Sequence, residues 1–319
     1  MIDKNSKIYI SGHKGMVGSA MLRLLESRGY KNLIFKTSKE LDLRIQKEVD
    51  EFIEKESPEY IFHFAAKVGG IKANINYPAE FLYDNIMITA NVINAAYKYK
   101  VKKLLYLGSS CIYPRKCLQP MKEEYLLTGK LEPTNEGYAL AKIVGLKLCE
   151  YYNKQYNTNF ICLIPPNLYG PNDNFNLDTS HVVAALIRKF YEAKINRLDC
   201  VEVWGTGRAR REFLYVEDLA EACLCFMNNY EAKNLPTFLN IGYGEDISIE
   251  ELAEIIKEEV GYNGKIYWNS SCPDGMPQKL LDSSISKKLG WKPKTPLKEG
   301  LKKTIKWYKN VYISKAKRV

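Results

Sequence analysis

The stretch that decides the fold is residues 7–18, which read KIYISGHKGMVG. The apolar run Lys7–Ser11 predicts a buried strand, and the apolar spacing over Val17–Arg28 predicts a helix. Glycines 12, 15 and 18 lie between or beside them. This arrangement predicts a pyrophosphate-binding turn. Glycines let the backbone approach a phosphate, and the helix N-terminus supplies free N–H groups and the positive end of a dipole.

Strand-like and helix-like segments alternate along the first half of the chain. We expect strands at Lys7–Ser11, Leu33–Lys36, Tyr60–Phe64, Lys103–Leu107 and Phe160–Ile164, and helices at Val17–Arg28, Lys47–Lys55, Ala79–Tyr99 and Tyr138–Asn153. This spacing is typical of βαβ units around a parallel sheet. The predicted fold class is therefore α/β, built on a Rossmann-type doubly wound parallel sheet.

The composition fits a globular, cytoplasmic protein. The 319 residues are 46% hydrophobic, which is enough for a large core, and no apolar run approaches the roughly 18–20 residues that span a bilayer. The eight cysteines are scattered and only three histidines occur, so we expect no metal site, no disulfide scaffold and no membrane partner. The net charge of +10 suits anionic ligands, but apart from a basic tail at Lys315–Arg318 it is dispersed, so we expect no nucleic-acid partner.

The residues after the second strand favour NADP(H) as the cofactor. NAD enzymes of this fold usually place an acid here to bind the ribose 2′-hydroxyl, and no acid occurs before Glu40. Lys14 in the loop, with Lys36 and Lys39 at the end of the strand, instead predicts a cationic pocket suited to a 2′-phosphate, and the NADPH preference is based on Lys14 and Lys36. Further along the chain, Asp42 and Leu43 are candidates for the adenine edge. The cofactor-binding candidates are Gly12, Lys14, Gly15, Met16, Val17, Gly18, Lys36, Asp42, Leu43, Ala65, Ala66, Lys67, Tyr138 and Lys142.

Ser109, Tyr138 and Lys142 form a candidate reduction site. Tyr138 and Lys142 are four residues apart on one predicted helix, so they share a face, and Ser109 follows a predicted strand. Reduction of a carbonyl needs a proton donor at its oxygen. A tyrosine with a pKa of about 10 is a poor one near neutral pH, and we expect the Lys142 ammonium to lower that pKa. Ser109 can hold the same oxygen.

Several motifs together resemble the GDP-L-fucose synthase family of extended short-chain dehydrogenases, from about Lys7 to about Trp307. The matching stretches are residues 12–18, 65–70 (AAKVGG), 108–114 (GSSCIYP), 132–142 (EPTNEGYALAK), 167–171 (NLYGP) and 211–213 (REF). The resemblance implies NADPH-dependent reduction of the C4 ketone of a GDP-linked 4-keto sugar, with epimerisation at C3 and C5. It also implies a homodimer.

The resemblance assigns further site residues. Cys111 and His181 match the base and acid of epimerisation, and thiol and imidazole have pKa values suited to that work. The substrate-binding candidates are Asn167, Lys189, Trp204, Arg211 and Lys279. Several positions depart from the family pattern, among them Pro166, Gly137 and the run Arg208-Ala209-Arg210, and two more bear directly on the ligands. Ser38 stands where a second arginine can bind the 2′-phosphate, and Lys189 stands where arginine is more usual.

The resemblance also implies two domains. Residues 1–171 are expected to form the NADP-binding Rossmann domain, completed by segments near 212–243, and residues 172–319 mainly a smaller α/β substrate-binding domain. The sequence supports a boundary near Pro171, because polar, turn-rich residues follow it. Phe238–Gly242 reads as a buried strand that returns to the first sheet.

Three alternatives remain. The first is a dedicated C4-reductase for another GDP-4-keto sugar, such as a heptose, with little or no epimerase activity. The second is a nucleotide-sugar 4-epimerase that keeps NAD bound, and the missing acid after the second strand disfavours it. The third is a non-catalytic dinucleotide-sensing or nucleic-acid-binding protein, and the presence of both Tyr138 and Lys142 disfavours it.

Overall fold

A computed structural model describes residues 1–316, with side chains through residue 312, so the end of the basic tail lies outside the described residues. In chain order the strands are β1 (Ile8–Ser11), β2 (Leu33–Ile34), β3 (Tyr60–His63), β4 (Lys103–Leu107), β5 (Phe160–Ile164), β6 (Asn167–Tyr169), β7 (Cys200–Trp204), β8 (Arg210–Tyr215), β9 (Leu239–Asn240), β10 (Asp246–Ser248), β11 (Lys265–Asn269) and β12 (Gln278–Lys279). The helices are α1 (Met16–Ser27), α2 (Gln46–Glu56), α3 (Ile71–Asn76), α4 (Pro78–Lys98), α5 (Glu136–Tyr156), α6 (Val182–Ile195), α7 (Val216–Asn229), α8 (Ile249–Val260), α9 (Ser284–Lys288) and α10 (Leu297–Ala316).

The main sheet is parallel and has the order β2-β1-β3-β4-β5-β9. Strands β4 and β5 are buried at every residue, as expected for strands covered on both faces. One apolar core joins the sheet to α1 and α7, and a second joins its other face to α2, α4 and α5. The predicted α/β, doubly wound fold is confirmed.

The strand order reverses between β1 and β3, so this is the point where a crevice opens at the carboxyl ends of the strands. The glycine loop follows β1, and Ala65 and Ala66 follow β3. The neighbouring strand β4 leads into Ser109. The topology therefore brings the predicted cofactor residues and the predicted reduction residues to one edge of the sheet.

The second lobe is built around β8. Its first half pairs with β10 and β12, and its second half pairs with β6, while β7 and β11 form a separate parallel pair. A third apolar core unites this sheet with α6, α8 and α10, through residues such as Phe213, Phe190, Ile256 and Leu301.

The chain passes between the two lobes more than once. After β8, helix α7 packs against α1, and β9 pairs with β5 in the main sheet. After β12, Trp291 joins the same core as α1 and α7. The division at residue 171, with completion by residues near 212–243, stays a prediction.

Some elements differ from the sequence expectation. Strand β2 ends at Ile34 because only Leu33 and Ile34 pair with β1, so Lys36 lies in the following loop. The short helix α3 was not expected, and α5 extends to Tyr156 rather than Asn153. The shorter β2 gives the Lys36 side chain a place at the edge of the crevice instead of within the sheet.

Candidate active site

A cavity of about 820 Å³ opens at the carboxyl ends of β1, β3 and β4. It brings together every predicted cofactor residue, the five predicted catalytic residues and one predicted substrate residue. These lining residues are Gly12, Lys14, Gly15, Met16, Val17, Gly18, Lys36, Asp42, Leu43, Ala65, Ala66, Lys67, Ser109, Cys111, Tyr138, Lys142, Asn167 and His181. The other substrate candidates, Lys189, Trp204, Arg211 and Lys279, lie outside its lining.

The glycine loop forms a cradle for a dinucleotide. Gly12 has φ +74°, and a Cβ there would lie 2.8 Å from the backbone nitrogen of Ala65, so only glycine allows this approach of the two loops. Helix α1 begins at Met16, with no acidic residue in its first turn and no side-chain cap. Its N–H groups and dipole are therefore available to a pyrophosphate, and the residues present fit the predicted cofactor.

The 2′-phosphate end of the cavity is cationic. Lys14, Lys36 and Ser38 line it, whereas Lys39, predicted beside Lys36, does not. Glu40 lies nearby, with its carboxylate 4.0 Å from the Lys36 ammonium. That carboxylate accepts hydrogen bonds from the Thr37 N–H (2.8 Å) and hydroxyl (2.7 Å), and these bonds lower the pKa of Glu40. It is thus held by its own loop and does not replace the missing ribose-binding acid.

Lys142 lines the cavity, and a hydrogen bond fixes its side chain there. Its ammonium donates to the carbonyl oxygen of Leu107 (2.8 Å) and lies 5.7 Å from the centre of the Tyr138 ring. Burial lowers the pKa of Lys142 to about 8. Lys142 and Tyr138 therefore share a face of α5, as the spacing predicts, and Ser109 interacts with the Tyr138 phenol from the end of β4.

The structure reverses the expected direction of the Tyr138 pKa shift. Burial raises the pKa of Tyr138 well above its ordinary value, the nearby Cys111 raises it further, and the hydrogen bond with Ser109 only partly offsets this. The Lys142 ammonium is hydrogen-bonded to the Leu107 carbonyl oxygen, and burial of the phenol is the largest cause of the shift in the Tyr138 pKa. Tyr138 therefore keeps its proton in this state, which suits a group that donates a proton to a ketone oxygen.

Polar hydrogens from three directions converge on the Cys111 sulfur. The donors are the Ser109 hydroxyl at 3.2 Å, the Asn135 side-chain amide at 3.4 Å and the Lys279 ammonium at 3.9 Å. Such donors can stabilise negative charge on the sulfur. They connect Lys279, a predicted substrate residue outside the cavity lining, to the predicted epimerisation site.

His181 occupies the N-cap position of α6, but its side chain makes no capping hydrogen bond. The ring lines the cavity instead. The surrounding protein and the Lys279 ammonium both lower the pKa of His181. The ring is therefore biased towards its neutral form and is available to exchange a proton with a ligand in the cavity.

The remaining substrate candidates belong to the second lobe. Arg211 on β8 donates to the carbonyl oxygen of Asp274 (3.1 Å). Lys189 on α6 donates to the carbonyl oxygen of Glu202 (2.8 Å), and Trp204 is half exposed at the end of β7. None of these three residues lines the cavity that holds the reduction residues, although Arg211 is close enough to Cys111 for the two side chains to interact electrostatically.

Sequence reasoning missed several residues that line this cavity. Asn135 lies within a quoted motif but was not assigned to the Cys111 sulfur. Asp173 also lines the cavity, and burial raises its pKa to about 7. Arg44 and Asp84 come from separate segments, β2–α2 and α4, and no local pattern links them. Asn135 and Asp173 lie in or beside the quoted motifs, so their polar side chains could have been predicted to line the site. Arg44 and Asp84 could not.

Within residues 1–316, no three His, Cys, Asp or Glu side chains are grouped in a way that could bind a metal ion. The helices in that part of the chain include none that is both long and apolar enough to cross a bilayer.

Comparison with known proteins gives one consistent result. The profile of the NAD dependent epimerase/dehydratase family matches residues 8–242. GDP-L-fucose synthase 1 of Arabidopsis thaliana is 52% identical over 312 residues, covering 98% of this chain and 96% of the relative. GDP-L-fucose synthase of Escherichia coli is 47% identical, covering 95% and 96%. A Campylobacter jejuni GDP-mannoheptose C4 reductase, solved with NADP bound, is 42% identical with a TM-score of 0.90, covering 97% and 100%.

Proposed function

Because this chain belongs to the NAD dependent epimerase/dehydratase family, and within it to the GDP-L-fucose synthases, we propose that it reduces the C4 ketone of a GDP-4-keto sugar with NADPH and also epimerises C3 and C5. The family predicted from the motifs is confirmed. The observation that carries the proposal is one cavity in which the glycine cradle, Tyr138 and Cys111 meet.

Reduction follows from the arrangement around Tyr138. NADPH, when bound along the glycine loop, supplies the hydride that reaches C4. The Tyr138 phenol donates its proton to the C4 oxygen, and the Ser109 hydroxyl holds that oxygen in place. The Lys142 ammonium, which lies beside them, stabilises the Tyr138 phenolate that remains after proton transfer. Solvent then reprotonates Tyr138 before the next substrate binds.

Epimerisation follows from Cys111 and His181. The C4 ketone makes the protons on C3 and C5 acidic, and inversion needs a base on one face of the carbon and an acid on the other. Cys111 and His181 both line the cavity, and Ser109 and Asn135 donate to the Cys111 sulfur. One of the pair removes the carbon-bound proton, and the other returns a proton from the opposite face.

The proposal is tested by supplying GDP-4-keto-6-deoxy-D-mannose and NADPH to the purified chain. We expect one NADPH to be consumed for each sugar reduced, and NMR of the product to show inversion at C3 and C5. A product reduced at C4 without inversion would contradict the epimerase part. Absence of net NADPH consumption would contradict the reductase part and favour a redox-neutral 4-epimerase.

A second candidate is a dedicated C4-reductase for a GDP-4-keto-heptose. The likeness to the C. jejuni GDP-mannoheptose C4 reductase supports it, since the match covers 97% of this chain at 42% identity. Both candidates use Ser109, Tyr138 and Lys142. Measuring kcat/KM for the hexose and the heptose substrates distinguishes the two candidates, because the natural substrate should have the higher kcat/KM.

The chain is expected to prefer NADPH to NADH by about tenfold in kcat/KM, since a hydrogen bond to a charged group contributes about 1.5–3 kcal/mol and solvent weakens it here. Lys14→Met and Lys36→Met should each lower kcat/KM for NADPH and leave that for NADH unchanged. Lys39→Met is the matched control, because Lys39 is in the same loop but does not line the cavity. An enzyme that prefers NADH would refute the lysine assignment.

We also propose a homodimer located in the cytoplasm. The exposed side chains of Tyr97 on α4 and Tyr156 on α5 support a dimer that pairs through these helices. All eight cysteines are free thiols, which supports a reducing compartment. That the chain has neither a nucleic-acid nor a membrane partner stays a prediction.

A further inference from the structure

The predicted epimerisation pair is divided between the two lobes. Cys111 follows β4 of the main sheet, in the first lobe, whereas His181 stands at the start of α6 in the second. Both line the cavity, and the Lys279 ammonium lies 3.9 Å from the Cys111 sulfur and close to the His181 ring. The reduction residues, by contrast, all come from the end of β4 and from α5. The distance between the two epimerisation groups therefore depends on how the lobes are joined, and the geometry of the reduction site does not.

Residues 172–181, which we call the β6–α6 segment, carry His181 at their end. Five of these residues line the cavity, namely Asn172, Asp173, Asn174, Thr179 and His181. The segment is folded on itself, because the Asn174 side-chain amide donates to the Thr179 hydroxyl at 2.8 Å. The His181 side chain makes no capping hydrogen bond with α6. The placement of its ring therefore follows the backbone of this segment.

Helix α3 holds the β6–α6 segment from the first lobe. The Gly70 N–H donates to the carbonyl oxygen of Thr179 at 2.9 Å, two residues before His181. The Asn74 side chain fixes this turn by donating to the carbonyl oxygen of Gly70 at 3.1 Å. A Cβ on Gly70 would lie 2.6 Å from the carbonyl oxygen of Ser180. Since Gly70 has φ −67°, which any residue adopts, glycine is needed here for the close approach of the segment and not for its own backbone.

An ion pair strengthens the same contact. The Lys72 ammonium on α3 lies 2.6 Å from the Asp178 carboxylate, and the two side chains are 47% and 73% exposed. Such a pair contributes little to overall stability and is screened by salt. Because it joins α3 to the segment that ends in His181, its small contribution favours one placement of that segment. At the other end of the segment, the Asn172 side chain donates to the Ser19 hydroxyl of α1 at 3.1 Å.

We infer that the contact of α3 with the β6–α6 segment positions His181 for epimerisation. The inference rests on the proposed epimerase activity and deepens it. Gly70, Lys72 and Asp178 are positioning residues, because they act through the backbone that carries His181 and do not themselves line the cavity. Reduction does not use His181. Loosening the contact should therefore slow proton exchange at C3 and C5 and leave hydride transfer intact.

The test measures two rates on the full chain. NMR follows exchange of the C3 and C5 protons of GDP-4-keto-6-deoxy-D-mannose with solvent deuterium, and NADPH consumption follows reduction of a ready-epimerised ketone. The variants are Lys72→Met, Asp178→Asn, both together, the exchanged pair Lys72→Asp with Asp178→Lys, and Gly70→Ala. Lys298→Met is the matched control, because Lys298 is 51% exposed and pairs with Glu258 within the second lobe, away from the cavity.

Lys72→Met and Asp178→Asn should each slow exchange by about 2- to 5-fold, the range of an exposed ion pair. The double variant should be no slower than either single variant, and the exchanged pair should restore the rate. Gly70→Ala should slow exchange by about 10- to 100-fold, because the backbone before His181 must move by several tenths of an ångström. Reduction should stay within about twofold of wild type in every variant, and the control should change neither rate.

Two results would overturn the inference while the proposed function stands. One is wild-type exchange in both Gly70→Ala and Lys72→Met. The other is an equal loss of exchange and reduction, which would show that the contact supports the whole cavity and not His181 in particular. Reduction measured on the same sample reports whether each variant is folded, and the ion-pair variants keep the test decisive if Gly70→Ala does not fold. If the wild-type chain itself exchanges neither proton, the proposed epimerase activity fails and this inference fails with it, so the two failures are distinguishable.

Discussion

Replacing Tyr138 with phenylalanine is expected to lower kcat for ketone reduction by about 10²–10⁴-fold, the range that a positioned acid contributes. The phenol is the proton donor at the C4 oxygen, and burial keeps it protonated before the reaction. Affinity for NADPH should stay within a few-fold of wild type, since the glycine loop is untouched. NADPH consumption gives the rate, and fluorescence titration of NADPH gives the affinity.

Tyr151→Phe is the matched control for this prediction. Tyr151 lies on the same helix as Tyr138, is exposed, and does not line the cavity. Its variant should reduce the ketone at the wild-type rate. A Tyr138→Phe enzyme that still turns over at close to the wild-type rate would show that another group protonates the ketone oxygen.

Replacing Cys111 with serine is expected to abolish exchange of the C3 and C5 protons with solvent deuterium, a loss of about 10²-fold or more. A serine hydroxyl is a much weaker acid than a thiol, so it cannot replace Cys111 in exchanging a proton with the carbon. Reduction of a ketone supplied already epimerised should survive, because Tyr138 handles the oxygen. Some loss of reduction rate is expected, since Ser109 donates to the Cys111 sulfur and also interacts with Tyr138.

The exchange is followed by NMR, with and without NADPH. Cys117→Ser provides the control, because Cys117 is a neighbouring free thiol that does not line the cavity. Its variant should exchange both protons normally. If the wild-type chain exchanges neither proton yet reduces a ready-epimerised ketone, the chain is a dedicated C4-reductase and the heptose candidate becomes the better one.

The features that follow from local patterns could be predicted from the sequence. Residues 12–18 lie between a strand and a helix. Their glycines predict a tight turn, and the free N–H groups of the helix N-terminus predict a pyrophosphate as the ligand. Tyr138 and Lys142 share a face because four residues make about one helical turn. Ser109 could be placed beside them because parallel strands end at one edge of the sheet.

Other features depend on contacts between distant segments. Arg44 and Asp84 are forty positions apart, and only the packing of α4 brings them together. The direction of the Tyr138 pKa shift depends mainly on how deeply the phenol is buried, which the spacing of residues does not encode. The Lys67 ammonium pairs with Glu80 and Asp84 of α4. The motif that contains Lys67 does not predict these partners, because they lie on a different segment of the chain.

The return of the chain to the main sheet has a consequence for synthesis on the ribosome. A nascent chain that has emerged only as far as Pro171 already holds the glycine loop, Tyr138 and Lys142. It still lacks α7 and β9, so the apolar face of α1 that packs on α7 is uncovered and β5 has no outer neighbour. Such an intermediate exposes the kind of surface that chaperones bind. A gene fragment that ends at this boundary is therefore not a portable cofactor-binding module.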